Sequence, residues 1–488
     1  SIIAYAKNTN YIRTCMHKSS NHRPANISLN VWLMLLLVFS SMQSFVIAEE
    51  KPWSLNSLLD TPNWLSISGS HRTRYETLDE QFRAGGNGDD QILVFKTNIL
   101  ALITWDQWNF AFEVLDSRQA LGDDSTKIAS GDVNPLDVLQ LYAQWNFANE
   151  TQSESNVRIG RFTMDIGSRR LVGRNVFRNA VNAFTGLDWQ IQKYNGEVTR
   201  IFYTLPVQRL PREFDRRERN RTQGDDQDTE VSFWGGYYKF PSSVFQTWGS
   251  EAELFYFGLD ENDTHNRPTR NRDIHTVGGR LYKKKAKKQY DYQIEGAYQF
   301  GKSLASTAAS DRDDLDHSAF FARAELGYSF DVKWLPRLVA QFDYASGDDD
   351  RTDGDNNRFD SLFGLRRFDF GPVGIYGPFA RSNIASPGVR LQLKPSSSVS
   401  MFVAHRGYWL ASEKDAWVAA GVQDSDGDSG TYLGQQLEGR LRWEILPQNL
   451  RWEIGAAYYF KSGFAKEAPN ANDEGDSNFV YSQLNLSF

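Results

Sequence analysis

The sequence predicts an all-β fold, a transmembrane antiparallel β-barrel of about eighteen strands preceded by a cleavable signal peptide. Three observations predict it. From Trp64 to Phe488, segments of roughly ten residues alternate apolar and polar side chains, the period of a strand with one face in lipid. The connections between these segments alternate long and short along the whole chain, as in barrels whose two rims differ. The longest apolar run, Val31 to Phe39, is too short to span a bilayer as a helix and follows Lys18 and Arg23, the layout of a signal-peptide apolar region. Aromatic residues make up 14% of the chain and are interleaved with polar ones, which suits many two-faced strands better than buried helices.

Residues 1 to 48 read as the signal peptide, with Val46-Ile47-Ala48 at the cleavage positions and Glu49 opening the mature chain. Met16 gives a signal peptide of ordinary length, so residues 1 to 15 read as an over-called start. The single cysteine, Cys15, falls there, which leaves the mature chain no disulfide, cysteine nucleophile or thiolate metal site. Residues 49 to 63 are a short periplasmic lead, and 64 to 488 the outer-membrane barrel.

The predicted strands, in order, are 64 to 78, 91 to 106, 108 to 118, 135 to 147, 155 to 164, 184 to 193, 196 to 205, 229 to 240 and 247 to 258. They continue with 273 to 284, 289 to 301, 316 to 330, 336 to 346, 384 to 394, 398 to 410, 432 to 444, 449 to 462 and 477 to 488. Short turns are expected on the periplasmic side and long polar loops outside. Aromatics flank the short turns at Trp105, Trp108, Trp145, Tyr194, Phe240, Trp248, Phe330, Trp334, Trp443 and Trp452, an interfacial girdle against outer-membrane lipid. The last strand alternates through Val480, Ser482, Leu484 and Leu486 to a terminal Phe488, similar to the signal by which the barrel assembly machinery recognises its clients.

If the apolar member of each pair faces lipid, the polar member faces the lumen. Leu437, Leu441 and Trp443 then point out, and Glu438, Arg440, Arg442 and Glu444 point in; Arg72, Arg74, Glu76, Arg323, Glu325, Arg390, Gln392 and Lys394 follow the same rule. Such a lumen is expected to be wet, because buried charges without water are costly. Most inward arginines have acids beside them, which reads equally as a salt-bridge lattice that stiffens the wall. The stretch Val157 to Gln192 differs: Arg161, Arg169, Arg170, Arg174 and Arg178 stand against one acid, Asp165, a local field for carboxylate or phosphate ligands. Strict alternation puts Arg158 and Arg161 on opposite faces, so one of them needs a bulge or lies beyond the lipid zone.

The acidic runs Asp348 to Asp355 and Asp424 to Asp428 read as solvated loops; neither has EF-hand spacing, and no metal or cofactor is expected. The loop Arg209 to Arg221 mixes six arginines with Glu213, Asp215 and Glu218 and reads as a solvated charge mesh. The net charge of −7 excludes a bulk polyanion binder, and no basic face with interleaved aromatics points to nucleic acid.

Five blocks carry a resemblance: SGSHRTRYETLDEQFR (68 to 83), RIGRF with GSRRLVGR and FRN (158 to 179), SGDDD through FDSLFG (346 to 364), NIASPGVRLQLKP (383 to 395) and LGQQLEG (433 to 439). Together, and in this order, they resemble the alginate export family of outer-membrane proteins. The chain departs from the family at Phe363-Gly364, where a proline usually follows the phenylalanine, and at Gln436 and Glu438, where the family has paired acids. The resemblance implies an eighteen-stranded barrel with an arginine-rich constriction that conducts an anionic uronic-acid polymer, without enzymatic activity. It marks Arg72, Arg74, Arg161, Arg169, Arg170 and Arg174 as candidate pore cations, and it allows periplasmic export or uptake partners. Two other functions stand beside it. One is a general or structural barrel without a specific substrate. The other is a barrel-embedded hydrolase, for which His71 and His405 lie in strands but no G-x-S-x-G serine motif lies alongside.

Overall fold

The structure is a computed structural model, and it describes residues 52–488 apart from 87, 124–125, 127, 150–152, 264–266, 309 and 473–474. The expected signal peptide and its cleavage positions lie outside the described residues. Eighteen strands of nine to sixteen residues form the wall. In chain order they are β1 (Leu65–Asp79), β2 (Asp90–Trp105), β3 (Trp108–Ala120), β4 (Asn134–Asn149), β5 (Ser153–Phe162), β6 (Phe184–Lys193), β7 (Val198–Gln208), β8 (Val231–Lys239) and β9 (Glu251–Glu261). The second half comprises β10 (Asp273–Lys283), β11 (Gln289–Ser303), β12 (Leu315–Ser329), β13 (Arg337–Ala345), β14 (Ile384–Leu393), β15 (Val399–Trp409), β16 (Tyr432–Leu446), β17 (Leu450–Lys461) and β18 (Ser477–Ser487).

Each strand pairs antiparallel with its neighbours in sequence, and β1 pairs with β18 from Ser70↔Ser487 to Asp79↔Asn478, which closes the barrel. Closure leaves no unpaired strand edge, the condition for crossing a bilayer with strands. Every predicted strand overlaps an observed one. The largest displacement is at β9, where Gln246–Trp248 forms a 3₁₀ turn ended by Gly249 at φ 62°, so the strand begins later than alternation alone indicates.

Directly paired residues share a face. Ile159, Ala143 and Leu187 form one outward row, and Arg158 and Asp188 an adjacent inward one. The outward rows are apolar and exposed, as at Ile99, Phe112, Leu141, Leu254, Ile294, Leu338 and Val389. Next to the short turns Trp105, Trp108, Trp145, Tyr194, Trp248, Phe330 and Trp334 are exposed, in the pattern of an interfacial girdle. Phe240, Trp443 and Trp452 of the expected girdle are half-buried.

The seam is locked at its end by the last residue. Gly69 and Phe488 exchange backbone hydrogen bonds of 2.7 and 3.0 Å, and the Phe488 ring stacks on Trp53 at 6.1 Å. A Cβ on Gly69 would run into that ring and lie 2.9 Å from the Asn98 carbonyl oxygen. Gly69→Val therefore strains the closure, with an expected loss of about 1–3 kcal/mol. The measurement is the midpoint of heat-modifiable gel mobility, and an unshifted midpoint contradicts the packing described.

The lumen departs from the expectation of a wet pore. The long connections 163–183 and 346–383 fold inward, and with the loop-side ends of the strands they bury an aromatic core that includes Phe82, Phe162, Phe233, Phe321, Tyr376 and Phe379. The reason lies in the inward positions near the long loops: where the strands leave the middle of the wall, the polar member of each pair gives way to Phe, Tyr or Leu, as at Phe233, Phe257, Phe321, Tyr459 and Phe479.

Candidate functional site: arginines of the lumen

The two inward loops are built as one unit. Val172 and Phe363 form a parallel bridge, and Phe363 N donates to Leu171 O at 2.9 Å and Leu365 N to Arg169 O at 2.9 Å. A Cβ on Gly364 would collide with the Arg170 carbonyl. The glycine that departs from the family pattern is thus the residue that lets the two backbones touch.

β1 grips this unit. Arg72 donates to Val176 O at 2.8 Å and to the side chain of Asn179, and Arg74 donates to Phe177 O at 2.5 Å while lying over the Phe177 ring at 4.2 Å. Arg74 also pairs with Glu76 at 2.6 Å, and Glu76 accepts from Ile375 N at 3.1 Å. Two arginines expected as pore cations therefore anchor the loops.

Arg170 and Arg174 are likewise engaged. Arg170 reaches Glu295 at 2.5 Å and Asp369 at 2.9 Å, and Arg174 reaches Glu113 at 2.6 Å. The Glu113 carboxylate also accepts from Asn98 at 2.9 Å and Gln140 at 2.5 Å. The excess of five arginines over one acid holds only within the local sequence; distant strands supply Glu113 and Glu295, and the other inward loop supplies Asp369. Arg161 pairs directly with Leu141 and Thr185, in the row next to exposed Ile159, so it stands on the outer face. There it lies at the loop end of β5, with its guanidinium 3.2 Å from Val138 O and 3.8 Å from Asp137. Alternation had allowed this outcome, and the register shift of β4 beyond Gln140 brings Asp137 within reach.

The lattice continues on the opposite wall. Asp369 receives Arg170, Arg323 at 3.1 Å and Arg381 at 2.5 Å. Glu438 holds Arg367 at 2.7 Å, and Arg442 holds Glu453 at 2.6 Å. Apart from the partly exposed Arg442, these are buried pairs that fix geometry more than they add stability.

Arg169, Arg178, Arg209, Arg366 and Arg212 escape this neutralisation: among the described residues no carboxylate lies within 4 Å of any of them, as is also true of Arg72, Arg83, Arg390 and Arg440. Arg169 lies over the Phe368 ring at 4.7 Å. Arg178, Arg209, Arg212 and Arg366 line one cavity of about 420 Å³ beside the loop-side ends of β7 and β8. Arg209 is held by the amide oxygen of Asn182 at 2.7 Å, and Arg366 by Phe379 O at 3.4 Å, with its Nε buried and unpartnered. Burial, then repulsion by Arg178 and Arg83, pulls Arg366 down to about 9; burial and Arg178 pull Arg209 down to about 10; burial lowers Arg178. Arginine keeps its proton in proteins, so the pull registers as unrelieved repulsion and dehydration. An anion in the cavity relieves both.

Arg390 and Arg440, the remaining expected cations, face the lumen nearer the short turns, each with its guanidinium carbon 4.8 Å from the centre of the Phe402 ring. Sequence reasoning identified Arg178 but not Arg209 or Arg366. Arg209, assigned to a solvated mesh, is the first residue after β7 and turns inward, while Arg219 of the same loop is exposed. His71 and His405 share the outer face with Thr97 and Gln435, so neither is aimed at the lumen.

A family model described as Alginate export matches residues 63–475. Among solved structures, OccAB2 of Acinetobacter baumannii is 11% identical over 87% of this chain and 98% of its own, with a TM-score of 0.55. OccAB1 of the same organism is 14% identical over 87% of this chain and 96% of its own, with a TM-score of 0.54. OccK2 (OpdF) of Pseudomonas aeruginosa, solved in complex with glucuronate, is 13% identical over 87% of this chain and 98% of its own, with a TM-score of 0.51. At these identities the likeness is one of fold. A comparison with curated proteins finds no match.

Proposed function

The chain belongs to the Alginate export family, and from that premise we propose that this bacterial outer-membrane β-barrel channel conducts an anionic polysaccharide or its oligosaccharides, a uronic-acid polymer of the alginate kind. The observation that carries the proposal is the cavity lined by Arg178, Arg209, Arg212 and Arg366, none with a carboxylate within 4 Å among the described residues, while the acids of the same lining, Asp228 and Glu261, are taken by Arg267 and Arg272. Most arginines of the wall are paired with acids whereas these are open to a ligand, and a guanidinium suits the planar carboxylate of a sugar acid. The glucuronate complex of a barrel of the same fold supports the same ligand class. Conduction further requires that binding at each cation be weak enough to allow exit.

The test is planar-bilayer conductance of the refolded mature chain in a salt gradient, with and without tetragalacturonate. The expected result is an anion-selective current blocked by the oligomer. A current indifferent to it would instead favour a general barrel, and a silent folded protein a structural one.

A further inference from the structure

We propose that the lumen mouth at the short-turn end is a second anion site, distinct from the arginine cavity, that draws a carboxylate-bearing saccharide chain into the barrel from that side. The inference rests on the channel reading above. A cavity of about 500 Å³ opens there, and its lining includes Lys285, Lys287, Arg337, Lys394, Phe402 and Arg440. Arg337 pairs with Arg390's neighbour Gln392 across β13 and β14, and Gln392 pairs with Phe402 and Phe402 with Arg440 across β15 and β16, so these residues form one inward row.

The charges in this mouth are of two kinds. Arg337 is committed to Asp291 and to Glu325 at 2.9 Å, and Lys287 to Asp331 at 3.0 Å. Lys285, Lys394 and Arg440 have no carboxylate within 4 Å among the described residues, and Arg440 Nε is buried without a partner. The Phe402 ring holds Arg390 and Arg440 by their faces, 4.8 Å from its centre; Arg390 donates to Phe368 O at 3.0 Å, and neither guanidinium has an acid within 4 Å among the described residues. A guanidinium presented this way is arranged for a carboxylate that arrives with the ligand.

The two rims have opposite character. The turn from Lys284 to Lys288 carries four lysines; Lys284 pairs with Glu251 at 2.5 Å and Lys287 and Lys288 with Asp331 at 3.0 and 3.9 Å, which leaves Lys285 without an acid among the described residues. At the other end the loops expose Asp349, Asp350, Asp353 and Asp355, and Asp426 and Asp428. A strand the length of β1 extends about 50 Å, several Debye lengths at about 8 Å each, so each rim acts on an approaching polyanion independently. The long-loop rim repels it, and the uncommitted Lys285 and Lys394 attract it.

The test uses the full-length channel in planar bilayers, with tetragalacturonate added to one side at a time, and compares the wild type with Lys285→Glu/Lys394→Glu. Both lysines are unpaired, so the variant is expected to fold, and Lys285→Gln/Lys394→Gln serves if the charge reversal does not. The expected result is an on-rate of block that falls about tenfold from one side only, with the difference lost in 1 M salt as screening requires. Equal on-rates in wild type and variant, or equal losses from both sides, with block itself intact, would overturn the mouth site and leave the channel reading standing. A wild type that tetragalacturonate fails to block from either side would overturn both.

Discussion

Replacing Asp369 with alanine is expected to raise the single-channel conductance and to lower the stability of the inward loops by about 3–5 kcal/mol. Asp369 sits in the short helical turn Arg367–Phe370 of the 346–383 connection and is 2% exposed. Its carboxylate receives Arg170, Arg323 and Arg381, and its carbonyl accepts from Arg406 at 2.6 Å. Without it three buried guanidinium groups face one another with one fewer carboxylate among them, and the simplest relief is for the turn to leave the lumen. Asp369→Asn keeps the shape and removes the charge, so it should fall between wild type and alanine. Conductance unchanged in both variants would show that the loops do not close the path.

The same residue gives the pH dependence. Burial opposes the ionised form of Asp369, but Arg170, Arg323 and Arg381 outweigh it and hold the carboxyl well below the usual range. A carboxyl whose folded pKa is depressed stabilises the fold fully above its unfolded value, near 3.9, and loses that contribution as pH falls below it toward the folded pKa. The wild-type channel should therefore keep one conductance from neutral pH down to about 4 and open only below it. Asp369→Ala should already be open at neutral pH.

The second large effect concerns the ligand. Changing Arg178, Arg209 and Arg366 together to glutamine should weaken the block by tetragalacturonate by at least tenfold. Each charged hydrogen bond lost costs about 1.5–3 kcal/mol, about tenfold to a hundredfold in Kd. The stability readout should move the other way. These groups repel one another and are partly dehydrated, so removing their charge should leave the thermal midpoint unchanged or raise it. A cluster that merely braces the loops would give the reverse pattern, with a lower midpoint and an unaffected block.

The wall was legible in the sequence because its determinant is local. Alternation with period two, read through Leu437, Glu438, Leu441 and Arg442, assigns faces without knowledge of partners, and the inward Glu438 and Arg442 meet Arg367 and Glu453 in the lumen. The contents of the lumen were less legible because their partners are remote. Arg174 meets Glu113 across 61 positions, and Arg170 meets Glu295 and Asp369 across 125 and 199. No local count of acids and bases finds those carboxylates. A window around Arg209 likewise contains its own loop's acids but not the inward turn that separates it from them. The aromatic core was obscured for a related reason: Phe233 and Phe321 obey alternation, but the loops that cover them come from elsewhere in the chain.

If the lumen is selective for anions through Arg178, Arg209 and Arg366, neutralising these residues must remove that selectivity. The most direct measurement is the reversal potential in a salt gradient for wild type and for Arg178→Gln/Arg209→Gln/Arg366→Gln, each confirmed folded by heat-modifiable mobility. The expected result is an anion-selective potential in the wild type that shifts toward zero in the variant. The same potential in both proteins would contradict it.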